Sequence, residues 1–273
     1  PLLVNKDGRP AGSKSYMWVY RTGKYQMDRQ VILYDYQKTR KADHPREFLK
    51  DFRGVCVTDG YQVYHTLEGA LEDLEVSGCW AHSRRRYDEA VKALPKSEQK
   101  MSLAYLALSQ IQQIYHEEAE LQDMTPAERR KHRQKFIKPL VDAYFNWIRI
   151  NIDKVMPKSK THNGMTYSLN QEKYLRRFLD DGEIPIDNNA AEQSIRSFCI
   201  GKKNWVMCDT INGAKSSAII YSLVETAKAN KLILYEYFNY LLTEIPEHMD
   251  DKNNDFCEKL LPWSDELPAE CRK

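Results

Sequence analysis

Two carboxylates in the sequence are candidate ligands of a divalent metal ion. Asp59 directly follows Gly54–Thr58, a short run that is typical of a buried strand. In open α/β sheets the loops at the carboxyl ends of strands converge on a crevice, and Asp59 stands at such a position. Glu192 lies in the stretch 184–205, within the first turns of a predicted helix. Carboxylate oxygens suit Mg²⁺, which assists phosphoryl transfer in many enzymes.

Each carboxylate also has an ordinary interpretation. Asp59 and Gly60 together form a common turn sequence. Glu192 and Arg196 are four residues apart, a spacing that allows an ion pair on the surface of one helix. The spacing of the two acids by itself favours this ordinary interpretation, so a metal site is predicted only together with the motifs that surround them.

Polar side chains precede Glu192 in the same stretch. Asn188 is four residues before Glu192, so we expect both on one helix face, where the amide could steady the carboxylate or contact a phosphate. Asp187 is better placed to cap the helix, because an Asp at that position accepts hydrogen bonds from unpaired backbone N–H groups.

Basic residues occur in three local clusters, although the formal net charge is only +2. The clusters are Arg84–Arg86, Arg129–Arg133 and Lys202–Lys203. Such runs usually lie on solvated helix faces, but three of them modestly favour contact with nucleic acid. The candidate phosphate contacts are Arg84, Arg196, Lys202 and Lys203, with the two lysines in a predicted short loop after Gly201.

Cys79 and His82 have the spacing of half a zinc site. A second pair at a suitable spacing is missing, since Cys199 and Cys208 are too far apart for a tight knuckle. His82 could instead lie beside the acids or contact a phosphate, or it could be an ordinary packed histidine. The six cysteines are dispersed, which favours a reducing compartment over a disulfide-rich secreted fold.

The remaining pattern predicts an α/β protein with a long helical segment. Apolar and β-branched runs predict an antiparallel three-stranded start and two later strands, in residues 2–4, 16–20, 31–34, 54–58 and 74–79. Helical spacing predicts helices over residues 45–52, 83–94, 214–230 and 234–242, and an all-helical stretch from 97 to 181. Within that stretch we expect a capped helix start at Thr125, a kink at Pro139, a polar loop over 156–164 and a helix over 167–181.

Several classes of protein lack support in this sequence. No apolar run approaches the roughly 20 residues that a membrane span needs, and the N-terminal residues have no secretory pattern. The sequence also has no phosphate-binding loop, glycine-rich dinucleotide fingerprint or nucleophile elbow.

Five motifs, taken in order, resemble the bacterial transposases of the insertion-sequence sixty-six family. They are Thr58–Tyr61 (TDGY), Gly78–Arg85 (GCWAHSRR), Asp187–Glu192 (DNNAAE), Gly201–Trp205 (GKKNW) and Gly213–Lys215 (GAK). The likeness extends over nearly the whole chain, to about residue 246.

The resemblance implies a ribonuclease-H-like α/β fold, a mixed sheet flanked by helices, with an all-helical insertion before the last catalytic acid. It implies that three acids, Asp, Asp and Glu, bind Mg²⁺, which Mn²⁺ could replace, for DNA strand cleavage and joining. By position, Asp59 resembles the second Asp and Glu192 the Glu. Cys79 and His82 also resemble a feature of related transposases that carry such an insertion.

The resemblance further implies a first Asp on the first strand, directly before a Pro-x-x-Val segment. That segment is Pro1–Val4 here, and neither Asp7 nor Asp35 stands at a matching position. We therefore expect the first acid upstream of Pro1, and expect this chain by itself to be catalytically incomplete.

The expected division has four parts. Residues 1–95 form the first part of the catalytic core, 96–183 the helical insertion, 184–245 the rest of the core, and 246–273 a weakly ordered tail. The family resemblance implies double-stranded DNA as partner, both transposon ends and target, together with a homo-oligomer on paired ends and possible accessory proteins. The expected location is the cytoplasm, on the nucleoid.

Two other functions remain open from the sequence. The chain could be a non-catalytic DNA-binding remnant of a transposase, or another ribonuclease-H-like nuclease such as a junction resolvase.

Overall fold

The computed structural model describes residues 1–10, 12–26 and 29–273. Within them the strands, in chain order, are β1 (Leu2–Lys6), β2 (Lys14–Arg21), β3 (Ile32–Gln37), β4 (Gly54–Thr58), β5 (Leu74–Gly78) and β6 (Cys208–Thr210). The helices are α1 (Asp43–Phe48), α2 (Gln62–His65), α3 (Trp80–Lys92), α4 (Lys96–Gln99), α5 (Leu103–Ala119), α6 (Pro126–His132), α7 (Lys138–Asn151), α8 (Lys160–Arg176), α9 (Asn189–Ser194), α10 (Arg196–Trp205), α11 (Ile211–Ala229) and α12 (Leu234–Glu247). The fold is therefore mixed α/β, as the sequence predicts.

The chain forms two compact units. The sheet unit comprises residues 1–40 and 190–273, and the helical unit comprises residues 41–189. The four-part division predicted from the sequence, with boundaries near residues 95, 183 and 245, stays a prediction.

The sheet unit is built on a four-stranded mixed sheet. Its order is β3-β2-β1-β6, with the first three strands antiparallel and β6 parallel to β1. The predicted antiparallel three-stranded start is thus confirmed. Alternate residues of β3 (Ile32, Tyr34 and Tyr36) are buried, which is the pattern of a strand with one face on a core. They pack with Phe198 of α10.

Helix α11 covers the edge strand of this sheet. The Ser222 hydroxyl accepts a hydrogen bond from the Tyr34 N–H at 2.8 Å. The Thr226 hydroxyl accepts from the Ile32 N–H at 3.0 Å and donates to the Ile32 carbonyl at 2.9 Å. These side chains satisfy three outer backbone groups of β3 and so partly cover an edge that could otherwise pair with another chain.

The residues that follow α12 contribute to a second core of the sheet unit. Leu260 and Leu267 are buried with Tyr237 of α12. The Tyr237 hydroxyl donates to the Leu260 carbonyl at 2.8 Å, and the Ile233 N–H donates to the Cys271 carbonyl at 2.8 Å.

The helical unit packs its helices against the parallel strand pair β4–β5. Trp80 of α3 is fully buried in its core, and its indole N–H donates to the Leu175 carbonyl at 2.8 Å. The predicted all-helical stretch from 97 to 181 is confirmed for the described residues, and the capping box of Thr125 with Glu128 is present. The start of one helix in that stretch differs from the prediction. Helix α8 begins at Lys160, capped by Ser159, so the predicted polar loop over 156–164 is wrong.

The segment before Pro139 also differs from the prediction. A π-helical turn over Arg133–Ile137 joins α6 to α7, and Pro139 lies in the first turn of α7. Proline is tolerated there because the first N–H groups of a helix have no partner within it.

Two arginines of the predicted basic cluster 129–133 are buried rather than displayed to solvent. Arg129 donates to the carbonyls of Gly182 at 2.6 Å and Met124 at 2.7 Å. Arg133 pairs with the carboxylate of Glu118 in the core. These side chains hold loops together in the helical unit, so they are structural and cannot serve as DNA contacts in the folded unit.

In the part of the chain that the structure describes, no helix combines the length and the apolar character that crossing a membrane requires.

Candidate functional site

Asp59 follows directly on β4, as the sequence predicts. The strand ends at Thr58, which is 3% exposed, and the Asp59 side chain is half-buried. Its Oδ1 accepts a hydrogen bond from the Tyr61 N–H at 3.0 Å. This bond closes a tight turn that presents the carboxylate at the carboxyl end of the strand.

Gly60 is required in that turn for two reasons. Its φ of +76° lies in the left-handed region that disfavours side chains. A Cβ at this position would lie 2.6 Å from the Tyr167 hydroxyl of α8. The loop that carries Asp59 is therefore packed directly against α8.

Cys79 and His82 lie at the start of α3, in the same unit as Asp59. The Cys79 thiol is fully buried, and its Sγ accepts a hydrogen bond from the Asn188 N–H at 3.4 Å. Burial raises the pKa of Cys79 to about 12. The thiol is therefore protonated at neutral pH, and it anchors the segment around Asn188. The half-buried His82 lies in the first turn of α3.

The segment Ile186–Asn189 is fixed at several points of the helical unit. The Ile186 carbonyl accepts from the Trp80 N–H at 3.1 Å. The Asp187 carboxylate accepts from the Tyr115 hydroxyl at 2.9 Å and from the Asn189 N–H at 3.1 Å. Asp187 thus accepts a backbone bond at the start of α9, but it lies two residues before the first helical residue, so it is not the N-cap that the sequence predicts.

Asn188 does not share a helix face with Glu192, contrary to the prediction. Helix α9 begins at Asn189, so Asn188 precedes it in non-helical backbone. Its backbone N–H is used by Cys79, and its side-chain Oδ1 is buried without a hydrogen-bond partner among the described residues.

Glu192 lies in the first turn of α9 with a half-buried side chain. Arg196 is exposed at the first position of α10. The two residues therefore belong to two successive helices rather than to the single predicted helix.

The predicted basic loop at Lys202 and Lys203 is helical. Helix α10 runs through Gly201, where a Cβ would lie 2.3 Å from the Tyr221 hydroxyl, and ends only at Trp205. Lys203 is exposed, whereas the Lys202 ammonium donates to the Pro1 carbonyl at 2.6 Å.

The predicted site residues therefore fall into two sets. Asp59, Cys79, His82, Arg84 and Asn188 belong to the helical unit, where Cys79 and Asn188 are in contact. Glu192, Arg196, Lys202 and Lys203 belong to the sheet unit. Among the described residues no three His, Cys, Asp or Glu side chains are grouped so that they could hold a metal ion.

The sequence does not predict that two tyrosines contact this region. Tyr115 holds Asp187, and Tyr167 packs against Gly60 beside Asp59. Tyr115 continues the apolar helical spacing of Ala104, Leu108 and Ile111, which predicts only a core position. No local signal distinguishes a core tyrosine from one whose hydroxyl serves a site.

The protonation of Cys79 gives a testable result. With a pKa of about 12, only about one thiol in 10⁴ is ionised near pH 8, and the side chain is inaccessible. We expect iodoacetamide to alkylate the exposed Cys199 and Cys257 in the native protein and to leave Cys79 unmodified, as measured by peptide mass spectrometry. Alkylation of Cys79 should appear once the protein is unfolded in urea, and native labelling of Cys79 as fast as that of Cys199 would contradict this assignment.

Comparison with known proteins agrees with these motifs. The family model described as Transposase IS66 family matches residues 1–216, and the IS66 C-terminal element matches residues 222–263. The chain belongs to the IS66 transposase family. The resemblance seen in the five sequence motifs is thereby confirmed.

The curated relatives of this IS66 family chain are longer proteins. The uncharacterized protein y4qI of Sinorhizobium fredii (strain NBRC 101917 / NGR234) is 28% identical over 97% of the chain and 49% of its own length. The uncharacterized protein y4jD of the same organism is 27% identical over 86% of the chain and 45% of its own length. The chain thus spans about half the length of the relatives it matches. No solved structure gives a significant match.

Proposed function

We propose that this chain is the catalytic part of a DDE-type transposase that cleaves and joins DNA strands. The observation that carries the proposal is the pair of motif carboxylates: Asp59 at the end of β4 and Glu192 in the first turn of α9, within a chain that matches the IS66 family over residues 1–216. The mixed sheet, with an antiparallel start, supports a ribonuclease-H-like core. The helices between β5 and α9 support a helical insertion before the last acid.

The residues present suit a hard divalent cation. Asp59 and Glu192 offer carboxylate oxygens, which Mg²⁺ and Mn²⁺ prefer, and both side chains are half-buried, so each can reach a ligand. We propose that these two acids hold Mg²⁺, or Mn²⁺ in its place, together with a first Asp. When bound, the ions would stabilise the charge that develops on the attacking and leaving oxygens of the phosphodiester.

Other side chains are proposed to bind and orient the DNA. Arg84 and Lys203 are exposed cations, and Arg196 is an exposed cation at the start of α10, so each can neutralise a backbone phosphate. Lys202 would first have to leave the Pro1 carbonyl. Cys79 and Asn188 are proposed to act indirectly, by fixing the segment that leads into α9. His82 lies in the first turn of α3 and is proposed to support Asp59 or to contact a phosphate.

The chain spans about half the length of the relative y4qI. The partners are therefore proposed for the whole protein. We propose double-stranded DNA, both transposon ends and target, and a homo-oligomer that holds paired ends. Accessory proteins of the same element are a further proposal.

The test uses the complete coding sequence that contains this chain. The purified protein is incubated with supercoiled plasmid that carries the terminal repeats of the element, with Mg²⁺, with Mn²⁺ or with EDTA. Nicking at the repeat ends and strand transfer that require the divalent cation are the expected results. Cleavage of branched DNA without terminal repeats would instead identify a junction nuclease, and DNA binding without any cleavage would identify a non-catalytic remnant.

A further inference from the structure

Arg86 of α3 and Tyr167 of α8 form a stacked pair in the helical unit. The guanidinium carbon of Arg86 lies 4.0 Å from the centroid of the Tyr167 ring. Such a contact between a cation and an aromatic face is favourable and restricts a side chain that would otherwise be mobile. Arg86 is exposed, yet its position is defined by the ring beneath it.

The stacked pair lies beside the loop that carries Asp59. The Tyr167 hydroxyl packs against Gly60, the residue directly after Asp59. A single aromatic ring therefore separates the Arg86 guanidinium from the strand-end turn. Helices α3 and α8 are held together next to this pair by a hydrogen bond of 2.8 Å between the Ser83 and Ser168 hydroxyls, both of which are fully buried. The platform is thus part of a rigid helix pair.

Arg86 is also available to an anion. No carboxylate of the described residues pairs with it, whereas Arg133, Arg176 and Arg177 in the same unit each pair with an acid. A guanidinium that lies over an aromatic face keeps the N–H groups at its own edge available, and these can bind a phosphate through two parallel hydrogen bonds. Arg84, the arginine favoured by the sequence, is two positions away on the helix and so does not share this face.

We propose that Arg86, held on the Tyr167 ring, binds a backbone phosphate of the DNA strand presented to Asp59. This inference rests on the proposed function, because it assumes that DNA is the substrate at Asp59. It assigns to Arg86 a positioning role: its contact sets where the strand lies along the Asp59 loop.

The test is the salt dependence of DNA binding by the full-length protein, measured by fluorescence anisotropy with a labelled mixed-sequence duplex in EDTA. The slope of log K against log salt is negative, and one lost phosphate contact lowers its magnitude by about 0.9. Arg86→Gln is expected to lower the magnitude of the slope by about that amount and to weaken binding about tenfold at low salt. Arg85→Gln, which removes the same charge from the next position, is expected to leave the slope unchanged.

The platform is tested by two changes of Tyr167. Tyr167→Phe keeps the ring and is expected to bind DNA like the wild type. Tyr167→Leu removes the ring while Arg86 keeps its charge, and we expect binding to weaken about threefold with little change in the salt slope. Arg86 is exposed, so the thermal midpoint of Arg86→Gln should match that of the wild type.

The outcomes separate this inference from the proposed function. Equal slopes for the wild type and Arg86→Gln, or an equal fall for Arg85→Gln, would overturn the assignment of Arg86 even if cleavage is normal. A fall confined to Arg86→Gln supports it, even where the cleavage assay fails. Absence of DNA binding by the wild-type protein would overturn both.

Discussion

Asp59→Asn is expected to lower the rate of DNA strand cleavage by the full-length protein at least about a thousandfold, and Glu192→Gln to do the same. Each change keeps the size of the side chain and removes one negative charge that the proposed Mg²⁺ site needs. A loss of about 4 kcal/mol of transition-state stabilisation corresponds to that factor. The measurement is the initial rate of plasmid nicking at the terminal repeats over a range of Mg²⁺ concentrations.

Matched controls come from exposed carboxylates in each unit. Asp209 pairs with Lys6 on the surface of the sheet unit, and Asp73 is an exposed acid of the helical unit. Asp209→Asn and Asp73→Asn should keep the cleavage rate within about twofold, because neither acid belongs to the proposed metal site. Their surface ion pairs also contribute little to stability. DNA binding in EDTA should be similar for all four variants. Wild-type cleavage by either Asp59→Asn or Glu192→Gln would refute the metal site.

The strands could be predicted from the sequence because their burial pattern is local. The apolar run at residues 54–58 predicts β4 with its exact bounds, whereas the strand predicted at 31–34 starts within one residue of β3 and ends three residues too early. Pairing of β6 with β1 could not be predicted, because Cys208–Thr210 is three residues long and its register depends on contacts distant in the chain.

Helix ends were harder to predict, and Gly201 explains why. Glycine usually marks a helix end, so the sequence predicts a loop there. In the structure Gly201 is inside α10, and the glycine is explained by packing, because the Tyr221 hydroxyl occupies the space that a side chain would need. The helix ends instead at Trp205 and is followed by Val206, a β-branched residue whose φ is +61°. Tertiary packing, which no short window of sequence contains, decides both positions.

The positions of the two acids could be predicted from the sequence: Asp59 directly follows β4 and Glu192 lies in the first turn of a helix, while the metal site itself stays a prediction. Their neighbours were predicted less well, since Asn188 precedes α9 and Lys202 and Lys203 are helical. Arg86 and Tyr167 are distant in the sequence, and only the packing of α3 against α8 brings them together. A cluster of arginines gives no local sign of which member is stacked on a ring and which is buried.

Arg133→Met is expected to destabilise the helical unit by about 3–5 kcal/mol. Arg133 is 0% exposed and donates through Nε to Glu118 at 2.9 Å. It also donates to the carbonyls of Phe178 and Asp181, each at 2.7 Å. Methionine has a similar shape, but it would leave the buried Glu118 carboxylate and two carbonyls without these donors. Total stabilities of about 5–15 kcal/mol are typical, so the loss should be visible as a large fall in the urea midpoint.

A second variant keeps this prediction testable if Arg133→Met does not fold. In Arg133→Met with Glu118→Leu both charges are absent, so the core keeps no carboxylate that has lost Arg133, and we expect recovery of part of the lost stability. Arg130→Met is the matched control: it changes an exposed arginine of α6, three residues before Arg133, and should alter the free energy of unfolding by less than about 0.5 kcal/mol. If Arg133→Met unfolds at the wild-type urea concentration with the same slope, the buried pair is not what holds α6 and the 178–181 turn together. If the double variant is no more stable than Arg133→Met, the loss comes from the two carbonyls rather than from the Glu118 carboxylate that has lost Arg133.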